Sequence, residues 1–78
     1  MGYLHIFDPR KGHATVTWDP DVDEAVKEAE RIFKEKMSEP TPRYAYKVPR
    51  GNVGTSERIT DFDPTADEIY VIAPMIGG

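Results

Sequence analysis

The sequence contains no cysteine, which excludes disulfide staples, a thiol nucleophile and cysteine-based zinc sites and leaves packing as the source of stability. It has no apolar run near the 18 or so residues that a membrane span needs, and its first residues lack the basic-then-apolar pattern of a secretory leader. A cytoplasmic protein without membrane contact is therefore expected. Positive charge is also scarce: 10 Lys and Arg stand against 14 Asp and Glu, for a net charge of -4. General affinity for nucleic acid comes mainly from cations that displace counterions from phosphates, so no nucleic-acid partner is expected. At 78 residues the chain has room for one domain, close to the lower size limit for folding alone, and none for a cleft between domains.

What is present is sharply punctuated. Leu4 and Ile6 alternate with Tyr3, His5 and Phe7; Asp8-Pro9-Arg10-Lys11-Gly12 supplies turn residues; Ala14, Val16 and Trp18 then alternate with His13, Thr15 and Thr17. This predicts an opening β-hairpin. Val22, Ala25, Val26, Ala29, Ile32, Phe33 and Met37 recur at spacings of three and four, which predicts an amphipathic helix of about four turns lying on a sheet. Asp19 with Pro20, or Asp21 with Glu24, would cap its start, and Glu39-Pro40-Thr41-Pro42 would stop it. On its outer face Asp23 with Lys27 and Glu30 with Lys34 are set for ion pairs at i and i+4.

Beyond the helix, Tyr44 to Val48 reads as a third strand, with Tyr44, Tyr46 and Val48 assigned to the core and Lys47 to the other face. Pro49 to Gly54 reads as a loop and Arg58 to Phe62 as a short strand. After the turn Asp63-Pro64-Thr65-Ala66, the segment Glu68 to Ala73 is the most apolar and β-branched of the chain, as a buried central strand would be. The order hairpin, helix, strand, short strand, strand fits an α+β domain of the β-grasp (ubiquitin-like) kind: a mixed sheet of about four to five strands with one main helix packed on one face, the last strand parallel to the first. Residues 1–73 form this domain and 74–78 a tail ending in Gly-Gly.

The closing segment, Asp67-Glu68-Ile69-Tyr70-Val71-Ile72-Ala73-Pro74-Met75-Ile76-Gly77-Gly78, resembles the C-terminus of the sulfur-carrier proteins, namely the small subunit of molybdopterin synthase and the thiamine-pathway carrier. In those families an acidic turn and an apolar strand lead through a proline to Gly-Gly. It is similar also to ubiquitin-like modifiers and to a β-grasp protein of phage tail assembly. The resemblance implies a carrier or tag whose Gly78 carboxylate is adenylated by a partner activating enzyme. That enzyme uses ATP and magnesium, so no cofactor is bound by this chain. A sulfur donor then gives a thiocarboxylate, or an enzyme thiol gives a thioester bound for an acceptor protein. Gly77 would give access, because a residue without Cβ can thread a narrow channel. Pro74, Met75 and Ile76 would position the tail, Pro74 ending strand pairing because it lacks an amide donor. The opening hairpin and the basic loop match no carrier motif. The alternative is a non-conjugating adaptor or virion-assembly protein that acts by surface contacts.

Other constellations point less far. Asp19, Asp21 and Asp23 with Glu30 copy the spacing of a calcium loop, yet Glu24 stands where a glycine is required. His5 and His13 extend from adjacent strands without a third metal ligand in view, so no metal site is expected. Nor is an enzyme, since no nucleophile, base and orienting partner assemble. Tyr3, His5 and Phe7 form a strand face too apolar for open solvent, so they either pack against Tyr70 and Ile72 or contact another protein. Residues 40 to 56 carry Arg43, Lys47 and Arg50 with no acid, a basic stretch suited to an acidic partner. A monomer is expected.

Overall fold

In the computed structural model, residues 1–8, 12–39, 43–49 and 53–73 are described. The chain forms β1 (Gly2–Asp8), β2 (Gly12–Trp18), α1 (Asp23–Met37), β3 (Tyr44–Val48), a short 3-10 turn (Val53–Thr55), β4 (Glu57–Ile59) and β5 (Glu68–Ile72). The strands make one five-stranded sheet in the order β2-β1-β5-β3-β4. β5 runs parallel to β1 with Leu4 opposite Ile69 and Ile6 opposite Val71, while its other neighbour β3 and the outer pairs are antiparallel. This is the α+β arrangement expected from the element order, a mixed sheet with one helix on one face.

Residues directly opposite one another share a face of the sheet, so the registers sort every strand residue. On the helix side, Leu4, Ile6, Trp18, Ala45, Ile69 and Val71 pack with Ala29 and Phe33 of α1 and with Phe62. Trp18, Phe62 and Phe33 form a tilted aromatic row, with ring centroids 5.0 Å apart for the first pair and 5.8 Å for the second. Trp18 also donates its indole N–H to the Pro64 carbonyl at 3.1 Å, so the polar edge of the largest core side chain is satisfied.

Several local expectations change. The short strand is Glu57–Ile59 and does not reach Phe62, which packs into the core instead. Tyr44 and Tyr46 do not enter the core. Ala45, with no exposed surface, lies under the helix, and Tyr44 and Tyr46 stand opposite Ile72 and Tyr70 on the open face. A period of two divides a strand into two sets without saying which the helix covers. Here the small residue is covered, and the two tyrosines keep part of their surface exposed. Neither Asp19 nor Asp21 caps α1: its N-cap is Val22, with no side-chain cap bond. The Asp19 carboxylate instead accepts the Asp21 N–H at 2.9 Å, and its carbonyl accepts the Val22 N–H at 3.0 Å, building the turn that feeds the helix. On the outer face Glu30 pairs with Lys34, as expected. Asp23 and Lys27 form no ion pair among the described residues, whereas Arg31 binds both Glu28 and Glu35.

Candidate protein-interaction face

The helix covers one side of the sheet, and the other carries the side chains that β1 alternation turned away from the core. Tyr3, His5 and Phe7 are joined there by His13 and Thr15 from β2 and by Glu68, Tyr70 and Ile72 from β5. Their rings stand nearly parallel. Phe7 stacks on His13 at 4.5 Å with 4° between planes, and His5 on Tyr70 at 4.7 Å with 23°. His5 lies 6.3 Å from Tyr3 and 5.6 Å from His13. Further along, Tyr44 continues the face with the Arg58 guanidinium 4.5 Å above its ring, a cation–π contact between neighbouring strands.

Hydrogen bonds fix the array. His5 Nε2 lies 3.2 Å from Glu68 Oε1. Thr15 Oγ1 lies 3.4 Å from His5 Nδ1 and 3.2 Å from His13 Nε2. With each neutral imidazole protonated on Nε2, the chain is unbroken: His13 donates to Thr15, Thr15 to His5, and His5 to Glu68. Tyr70 Oη donates to the same Glu68 oxygen at 3.5 Å. Burial together with the Glu68 charge pushes the Tyr70 phenol above its ordinary value, which keeps it a neutral donor. The rings are thus held in place before any partner arrives, which lowers the ordering cost of binding.

The apolar ends of this array remain open: Phe7 is 38% and Ile72 40% exposed. Between them lies a shallow apolar depression walled by Phe7, His13, Tyr70, Ile72 and Ala73. A second one adjoins it, lined by Tyr46, Val48, Ser56, Tyr70 and Ile72. Tyr70 and Ile72 are common to both. Such a surface suits an apolar protein segment. Among the described residues, no group of three His, Cys, Asp or Glu side chains is placed to hold a metal ion, and no described helix is long and apolar enough to cross a membrane.

The cations of the basic stretch lie elsewhere and are engaged. The Arg43 side chain is 5% exposed and binds Glu39 at 2.7 Å and Asp8 at 3.4 Å. This partner holds the Glu39 carboxyl below its ordinary value. The Lys47 ammonium lies 3.0 Å from Asp63 and 3.5 Å from Glu57. The Asp63 carboxyl, which also accepts the Thr65 hydroxyl and N–H, is lowered, first by that hydroxyl and then by backbone and Lys47 bonds. Lys47, Glu57, Asp63 and Thr65 line a small polar cleft at the sheet end, but its charges answer one another. Arg50, Pro74, Met75, Ile76, Gly77 and Gly78 lie outside the described residues.

Tyr3, His5 and Phe7 are therefore brought together with Tyr70 and Ile72: the rings pack on one another and leave an exposed rim. The contributions of Thr15, Glu68 and Arg58 were not foreseen. Parity along β5 would have found Glu68 once its parallel register with β1 was known, and the antiparallel registers of β2 on β1 and of β4 on β3 would have added Thr15 and Arg58. Comparison with protein-family models, with curated proteins and with solved structures finds no match for this chain.

Proposed function

We propose that the protein is a β-grasp carrier or modifier, presented to a partner enzyme by its open aromatic face and activated at the carboxylate of Gly78. The observation that carries this reading is the placement of β5. It is the central strand, its Tyr70 and Ile72 are shared by both depressions of the open face, and in sequence Gly77-Gly78 follows five residues after Ile72. Residues 74–78 span at most about 17 Å when extended. A partner seated on Phe7, Tyr70 and Ile72 would thus have Gly78 within reach of its own active site. The partner would attack the α-phosphate of ATP with the Gly78 carboxylate, releasing pyrophosphate. Sulfide would then displace AMP to give the thiocarboxylate, or an enzyme thiol would displace it to give a thioester; a persulfide would give an acyl disulfide, whose S–S bond a second thiol must reduce to release the thiocarboxylate. The chain contributes shape and the carboxylate that becomes the acyl group of the adenylate, with AMP as the leaving group, and no catalytic residue of its own.

A specific observation also favours an adaptor that never uses the carboxylate: the stacked rings are held by contacts among residues of β1, β2 and β5. Intact mass after incubation with ATP, magnesium and host extract separates the two. Carrier activity gives an oxygen-to-sulfur exchange or higher-mass conjugates for the 78-residue chain, and neither for a form lacking Gly77 and Gly78. An adaptor gives no mass change in either form, retains partner capture after truncation and loses it on Phe7→Glu.

A further inference from the structure

The two edges of the sheet are built differently. β4 is short, three residues long, and carries Glu57 and Arg58, the usual protection against unwanted strand pairing. β2, at the other edge, has seven residues, Gly-His-Ala-Thr-Val-Thr-Trp, with no Lys, Arg, Asp, Glu or Pro. It pairs with β1 without interruption from Gly12 to Trp18, so no bulge twists it away. Gly12, His13, Ala14, Thr15 and Thr17 are exposed. Ala14 is on the helix side, and its exposure means that α1 does not overhang the edge. A long, regular, uncharged edge strand is a template for another strand.

We infer that β2 pairs antiparallel with β2 of a second copy, joining two sheets into one of ten strands. Symmetry narrows the geometry. Two identical strands paired antiparallel about a two-fold axis require that axis to stand normal to the sheet. Both helices then lie on one side and both aromatic faces on the other. Opposed residues must also share a face, so one residue must stand opposite its own copy, with the axis midway between the two. Centring it on Thr15 uses the whole strand, and any other centre leaves residues unpaired. Thr15 then faces Thr15 of the second copy, His13 faces Thr17, and on the helix side the exposed Ala14 meets the half-buried Val16. No like charges are opposed, which is what a self-pairing strand needs. An edge contact of this length is at the small end of interfaces, below about 1,200 Å², so the dimer is a weak and concentration-dependent one. It stands independently of the carrier activity proposed above.

The absence of cysteine makes the test clean. On the axis, Thr15→Cys places two thiols across one strand pair, with Cα atoms about 5 Å apart and within disulfide reach. Thr17→Cys separates its copies by about 13 Å along the strands. Under mild oxidation the Thr15→Cys chain should form covalent dimer about tenfold faster than Thr17→Cys. Sedimentation velocity should find Thr15→Asp and Thr15→Arg each monomeric and their equimolar mixture dimeric, with circular dichroism establishing that each variant is folded. Should the charged variants not fold, the cysteine pair decides alone. Equal cross-linking at both positions, or an unmodified chain that stays monomeric at millimolar concentration, overturns the inference; in the second case the edge is left to a strand of another protein.

Discussion

The Trp18 indole lies directly against the backbone of Gly2: a Cβ built on Gly2 would come within 2.2 Å of the indole Cε2 and Cζ2 atoms. These residues pair at the end of the β1–β2 ladder, and the absent side chain makes room for the largest core residue. Gly2→Ala should therefore destabilise the fold by about 1–3 kcal/mol through overpacking, although alanine suits a strand better than glycine. Urea unfolding followed by Trp18 fluorescence measures the loss directly. An unchanged midpoint would mean that the indole shifts freely, contrary to its bond with Pro64.

Phe7 should separate folding from docking. Its ring stacks on His13 yet is 38% exposed, so Phe7→Ala is expected to cost less than about 1.5 kcal/mol of stability. Capture of an activating partner should weaken by about tenfold or more, as for a central aromatic contact. Equal affinity for both forms, measured by titration calorimetry, would remove the face from the binding reaction.

Acid should loosen the sheet end that Asp63 ties to Lys47. The Asp63 carboxyl is held below its ordinary value of 3.8. Its stabilising contribution is thus fully present above that value and is lost as pH falls through the lowered one. The urea midpoint of the parent chain should drop as pH falls below about 4, and Asp63→Asn should flatten that drop while lowering the plateau at neutral pH. A parallel shift of both limbs would show that the carboxyl contributes nothing to the pH dependence.

Removing Arg43 should matter more than removing Arg31. Arg31 is 59% exposed in its pairs with Glu28 and Glu35, and such surface pairs contribute little. Arg43 is nearly enclosed, and its loss leaves Asp8 and Glu39 without their shared cation. Its Nε and Nη1 have no hydrogen-bond partner among the described residues, so Arg43 does not realise its full bonding capacity. Thermal unfolding of Arg43→Leu should begin clearly below that of the parent, with Arg31→Leu nearly unchanged.

Much of the architecture is legible in the residues. The alternation of β1 and β2, the three-and-four spacing of α1 and the β-branched run of β5 are local patterns, and each marks its element. What escaped was relational. Nothing within Tyr44 to Val48 tells which alternating set the helix will cover. The charges of Arg43 and Lys47 looked like a free basic patch because Asp8 and Asp63 lie far away in sequence and because Glu39, four residues before Arg43, was counted with the helix. The same holds for the candidate face. Tyr3, His5 and Phe7 stood out by their own alternation, with Tyr70 and Ile72 as packing partners, but Glu68 joins the array only through the parallel register that sets Tyr3 beside Glu68 and His5 beside Tyr70.

The position of β5 also bears on how the molecule comes into being. It is the last of the five strands to be synthesised and the middle one in space, with β1 on one flank and β3 on the other. Until it emerges from the ribosome, the β1–β2 hairpin and the β3–β4 pair have no strand to join them, and the helix has only part of a sheet to lie on. Folding must therefore wait for the residues of β5, through contacts distant in sequence that close slowly. A stalled or shortened product ending before Glu68 would expose both flanks at once and be a natural target for proteolysis.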